Sequence, residues 1–159
     1  MVRLKRLIEK NAKRHDLDPQ LVACVVLQES GGETAAVRYE PAFYERYVEG
    51  KTRSTLIGHV PKNLPNLTTE RVLRATSWGL MQVMGQTARE HGYAEDWLSM
   101  MAVKPSHGLR VGCAFLAWCF AQKGGNTEQA LLRYNGGGNK DYAKEVLSRL
   151  KAGEFKRLY

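Results

Sequence analysis

The stretch LVACVVLQESGG, Leu21 to Gly32, is apolar for its first seven residues and then ends on a carboxylate, a serine and two glycines. Asp18 and Pro19, just upstream, are a natural helix N-cap and first helical residue. Gly31 and Gly32 are natural terminators. The predicted helix is therefore Pro19 to about Ser30, apolar on nearly every face and so central to the fold. Val22, Val25 and Val26 share the buried side of this helix with Glu29. Apolar surroundings and the negative end of the helix dipole both disfavour an ionised Glu29 and raise its pKa. A carboxyl group that keeps its proton near neutral pH is what a general acid requires. The plain alternative is a last-turn glutamate that swings into water, so the assignment depends on companions elsewhere in the chain.

Outward from this helix the chain reads as mainly α. Leu4, Leu7, Ile8 and Ala12 recur at helical spacing among lysines and arginines, which predicts an amphipathic first helix. A helix capped by Thr68 or Thr69 is expected next, then a short one in TAREHG closed by Gly92. A long helix opens at Pro105 and runs to about Lys123, and its Gly108 and Gly112 would admit a close neighbour. Asn126 or Thr127 caps EQALLRYN, which Gly136 to Gly138 break. The last helix starts near Asp141, with Tyr142, Val146 and Leu150 on one face. Repeats, low-complexity tracts and period-2 strands are not evident, and residues 1–159 read as one domain.

Three short motifs give Glu29 its companions: Glu29–Ser30, then Gly79-Leu80-Met81-Gln82, then Tyr134-Asn135-Gly136-Gly137, with Tyr142 beyond. In this order the chain resembles the lytic transglycosylases of the soluble (SLT) type, whose fold is that of goose-type lysozyme. The resemblance covers Asp18 to about Leu150. It implies that Glu29 is the single catalytic acid/base and that Ser30 is the motif serine at the helix end. It implies that Gly79, Leu80, Met81 and Gln82 line the glycan cleft, with Gln82 offering amide hydrogen bonds to sugar groups. Tyr134 and Asn135 would sit near the acid, the Tyr134 hydroxyl orienting Glu29, and Tyr142 would be a second cleft tyrosine. The implied reaction cleaves the β-1,4 bond between N-acetylmuramic acid and N-acetylglucosamine and closes a 1,6-anhydro ring. It needs no second carboxylate, no metal and no cofactor.

The segment between Glu29 and Gly79 is longer than in compact members of that family, and it carries Glu33, Glu40 and Glu45. An inverting hydrolase places a second carboxylate about 6.5–9.5 Å from the first to activate water. A muramidase using one of these three is thus the alternative chemistry, although Glu40 beside Pro41 also reads as a plain surface charge. Insertions of this kind, with an RYEP segment, resemble phage cell-wall enzymes. An alternative of another class is a non-catalytic glycan-binding or phage structural protein.

The net charge of +8 favours polyanionic partners such as nucleic acid, an anionic membrane or an acidic cell-wall polymer. No predicted helix clusters the Arg, Asn and Gln of a base-reading face, so nucleic acid is not expected as a partner. The longest apolar run is too short to span a bilayer, and the basic N-terminus lacks the apolar core of a secretory signal. The expectation is a monomer made in the cytoplasm that acts on peptidoglycan after release by phage lysis or carriage in a virion. Trp78, Tyr39, Phe43, Tyr44 and Tyr47 are candidates for stacking on sugars, with Trp78 preferred because it adjoins Gly79. Trp118 reads as packing, and Lys51, Arg53 and Lys62 as a solvated face. Cys24, Cys113 and Cys119 read as buried thiols rather than a disulfide framework.

Overall fold

The computed structural model describes residues 2–63 and 66–159. Helix α1 (Val2–Arg14) buries Ile8 and Ala12. Helix α2 (Pro19–Ser30) begins where the Asp18 side chain accepts from the Gln20 amide at 2.9 Å. Every residue from Leu21 to Leu27 is buried, as the unbroken apolar run demands. The helix stops at Gly31, whose φ of 63° is the left-handed cap that lets its amide reach the Leu27 carbonyl. Around α2 pack α1, the C-terminal helix α9 (Tyr142–Lys151) and the 3-10 turn Glu154–Leu158. Helix α7 (Pro105–Gln122) crosses α1 and carries α8 (Thr127–Tyr134), which Asn126 caps by accepting from Gln129.

The glycines of α7 act as their spacing suggests, one against backbone and one against a side chain. A Cβ on Gly108 would lie 2.7 Å from the carbonyl oxygen of Met101, in the short helix α6 (Met100–Val103). On Gly112 it would collide with the Met81 side chain.

Three short strands are present that no period-2 pattern announces. Within the long segment after Glu29 lie β1 (Val37–Tyr39) and a short helix α3 (Pro41–Phe43) that continues as a π-helical turn, Tyr44–Val48. Helix α4 (Leu67–Arg74) precedes β2 (Thr76–Trp78), and β3 (Val83–Met84) leads into α5 (Gly85–Glu90). The strands form one antiparallel sheet, β1-β2-β3, with Val37 opposite Trp78 and Ser77 opposite Met84. At two or three residues each they are too short to show alternation. Helix α4 is capped by Asn66 rather than by Thr68 or Thr69. Asn66 holds an extended backbone and accepts from the Thr69 amide at 2.7 Å. Helix α5 ends at Glu90, with His91 as its C-cap, rather than being closed by Gly92.

A small second core of Val48, Leu56 and Ala75 underlies the long segment. Beside it Glu70, Arg74 and Arg89 are buried together. Glu70 accepts from Arg74 at 2.9 Å and from Arg89 at 2.8 Å. Arg74 also donates to the carbonyls of Ile57 and His59, while Arg89 donates to those of Tyr93, Glu95 and Asp96. Two guanidinium groups thus bind loop carbonyls that no secondary structure satisfies, and one carboxylate balances part of their charge.

Candidate active site

Helix α9 lies against α2, and Gln28 fastens the two. Its amide donates to Glu145 at 2.7 Å and its carbonyl oxygen accepts from Arg149 at 2.8 Å. This docking sets Tyr142, buried at the start of α9, against the end of α2. Its hydroxyl donates to Glu29 Oε1 at 2.5 Å. Burial pushes the Tyr142 phenol far above its usual range, so it remains the donor. With Oε1 engaged, the acid proton of a neutral Glu29 belongs on Oε2.

Burial raises the Glu29 pKa, and it outweighs the Tyr142 hydrogen bond and the charge of Arg38, both of which favour the ionised form. The carboxyl is half-buried and opens into a cleft of about 450 Å³. Glu29, Glu40, Gln82, Tyr134 and Asn135 all line that cleft. It is walled by β1, the hairpin β2–β3, the π-helical turn and the end of α8. Its lining mixes aromatic and amide side chains with two carboxylates, Glu29 and Glu40, and two guanidinium groups, Arg38 and Arg133.

The two tyrosines exchange the roles that the motif implied. Tyr142, not Tyr134, holds Glu29. The Tyr134 hydroxyl donates to the Met81 carbonyl at 2.7 Å, and its ring packs 5.2 Å from that of Phe115. Tyr134 thereby ties α8 to the hairpin loop. Ser30 ties α2 to the same loop, its hydroxyl donating to the Leu80 carbonyl at 2.9 Å. Ser30 is therefore a latch and does not line the cleft.

The loop itself is folded by backbone conformation. Gly79 has φ of 68° and Gln82 φ of 45°. A Cβ on Gly79 would strike the Met101 carbonyl oxygen, so glycine is required for closeness as well as for φ. Leu80 and Met81 are fully buried, which corrects the expectation that their side chains face the glycan. Only Gln82 among the four lines the cleft. Its Nε2 donates to the Ala36 carbonyl at 3.0 Å and to the Gly79 carbonyl at 2.9 Å, leaving the carbonyl oxygen to accept from a ligand. Asn135 uses Oδ1 to accept from the Asn139 amide at 2.7 Å, leaving its NH2 group as a donor. Trp78 is buried, and its indole donates to the Leu73 carbonyl at 3.0 Å. It is a core residue, and of the other aromatic candidates Phe43 and Tyr47 line the cleft.

Of the three candidate second carboxylates, Glu40 alone lines the cleft. Its Oε1 is paired with Arg38 Nε at 2.5 Å. Glu33 closes a turn by accepting from the Ala35 amide, and Glu45 is exposed on the π-helical turn away from the cleft. Sequence reasoning missed Arg38 and Arg133 as cleft residues. Arg38 stands in the short strand β1, and Arg133 lies 4.5 Å over the Trp118 ring.

The description Transglycosylase SLT domain matches residues 6–153. The chain belongs to that family. The lysozyme-like arrangement of helices around a small sheet is the family's fold. The Endolysin of Enterobacteria phage PRD1 is 37% identical over 59 residues. That match takes in 36% of this chain and 40% of the phage protein, so the chain spans well under two thirds of its relative. No solved structure matches the SLT-family chain.

Proposed function

We propose that this chain is a peptidoglycan lytic transglycosylase with Glu29 as its only acid/base. The observation that carries the reading is the Glu29 carboxyl, raised in pKa by burial and held through Oε1 by Tyr142. Membership of the SLT family and the likeness to a phage endolysin support it. In the first half of the reaction Glu29 Oε2 gives its proton to the glycosidic oxygen, and the bond from C1 of N-acetylmuramic acid to that oxygen breaks. In the second half the Glu29 carboxylate takes the proton of the C6 hydroxyl, and O6 attacks C1. The product is a 1,6-anhydro ring, no water is consumed, and Glu29 ends protonated as it began. Gln82 as acceptor and Asn135 as donor orient the N-acetyl and hydroxyl groups.

One observation favours a second reading, hydrolysis: Glu40 lines the same cleft. The Arg38 pairing engages only Oε1 of Glu40 and leaves Oε2 open to accept from water, so the reaction products decide between the two readings. Mass spectrometry of digested cell wall separates the two. Anhydro-muramyl ends are expected, and products uniformly heavier by one water would replace the transglycosylase with a muramidase. Against a non-catalytic glycan binder, Glu29→Gln is expected to abolish lysis while wall binding persists.

We further propose that the active unit is a single-domain monomer delivered to the wall by phage lysis or in a virion. Among the described residues no helix is long and apolar enough to cross a membrane. The net charge of +8 suits an anionic wall.

A further inference from the structure

The long segment after Glu29 does more than supply one wall of the cleft. It builds a second depression of about 340 Å³, lined by residues that include Arg46, Lys51 and Ile57. Phe43, Tyr47 and Thr87 line both this depression and the catalytic cleft, so the two are joined across a shared wall. That wall is aromatic. The rings of Phe43 and Tyr47 lie 4.7 Å apart, and Tyr47 is 50% exposed.

The far lip carries Ile57, 68% exposed, an apolar side chain that the fold leaves uncovered. Arg46 sits 5.2 Å over the Tyr47 ring. The lip is also fixed in place. The carbonyls of Ile57 and His59 accept from buried Arg74, and Ile57 accepts from Gln86 as well. Val48 and Leu56 are buried beneath it. The buried Glu70–Arg74–Arg89 cluster therefore holds a preformed groove that the catalytic cleft alone does not need.

We infer that this second depression is an additional saccharide-binding arm of the cleft, through which the enzyme prefers long glycan strands to short fragments. The inference rests on the glycan-cleaving reading of the cleft. A closed pocket holds a small ligand, whereas a polymer needs a continuous trough, and here two depressions meet over a shared edge. Pyranose rings present apolar C–H faces, which stack on an aromatic shelf such as Phe43–Tyr47. Beyond it Arg46 and Lys51 offer cationic donors to hydroxyl, N-acetyl and carboxylate groups of the strand. Ile57 covers a further apolar sugar face.

The test uses the full chain with defined glycan fragments that fill only the cleft and with long purified strands. Arg46→Gln and Ile57→Ser both alter side chains outside the catalytic cleft. Lys144→Gln, on the exposed side of α9, controls for loss of charge. The wild type is expected to show a kcat/KM that rises with strand length. Each groove variant should lose roughly tenfold on long strands, the scale of one lost contact, while staying within about twofold of wild type on short fragments. Lys144→Gln should keep the length preference. A length profile unchanged in both groove variants, or equal losses on both substrates, overturns the inference. A wild type that cleaves neither substrate overturns the glycan-cleaving reading itself.

Discussion

Replacing Tyr142 by Phe removes one oxygen and leaves the buried ring in place. That oxygen donates to Glu29 Oε1 at 2.5 Å. When Glu29 gives up its proton, negative charge grows on the carboxylate, and this hydrogen bond strengthens as the bond to the leaving sugar breaks. A hydrogen bond to a charged group is worth about 1.5–3 kcal/mol. At about 1.4 kcal/mol per factor of ten, kcat should fall roughly 10- to 100-fold. KM should barely move, because Tyr142 does not line the cleft. The pH profile supplies a second signature. The Tyr142 hydrogen bond favours the ionised form, so its removal raises the Glu29 pKa further. Catalysis starts from the protonated acid, so the alkaline limb of kcat should move to higher pH. Turbidity clearing of purified sacculi across a pH series reads both quantities. An unchanged kcat, or an alkaline limb that stays put or moves to lower pH, refutes the reasoning.

Three other outcomes follow from the same structure. Because the folded-state pKa of Glu29 is raised, its burial costs stability once the pH climbs above the unfolded carboxyl value. The wild type therefore loses stability as pH rises through the window between the two values. Glu29→Gln, neutral throughout, should show a higher Tm than wild type at neutral pH and no difference in strong acid, by calorimetry. Glu70→Gln leaves two buried guanidinium groups without their carboxylate and should cost about 3–5 kcal/mol in urea unfolding. Gly79→Ala forces a Cβ into left-handed φ and against the Met101 carbonyl. A loss of about 1–3 kcal/mol is expected in the same assay, with activity reduced because the loop anchors both Ser30 and Tyr134.

What was legible in the sequence was local. Asp18, Pro19 and Gly31 bound α2 because capping depends on neighbouring residues. Glu29 could be singled out because helical periodicity placed it among valines. The exchange between Tyr134 and Tyr142 was not legible. It depends on how α9 docks on α2, which Gln28, Glu145 and Arg149 decide across more than a hundred residues. The Glu70–Arg74–Arg89 cluster was equally hidden, since three charged residues in ordinary helical stretches read as solvated faces. Trp78 misled because nearness in sequence to the Gly79–Gln82 loop says nothing of direction. In the hairpin its ring turns to the core and its indole N–H to Leu73. The family motifs named the residues of the candidate site, and tertiary packing set which of them line the cleft and which lie beneath it.

The most direct measurement is the carboxyl ¹³C shift of Glu29 followed against pH. A midpoint clearly above that of a free glutamate is predicted. A midpoint at or below the free value would contradict the claim that exclusion of water keeps this group protonated and ready to act as an acid.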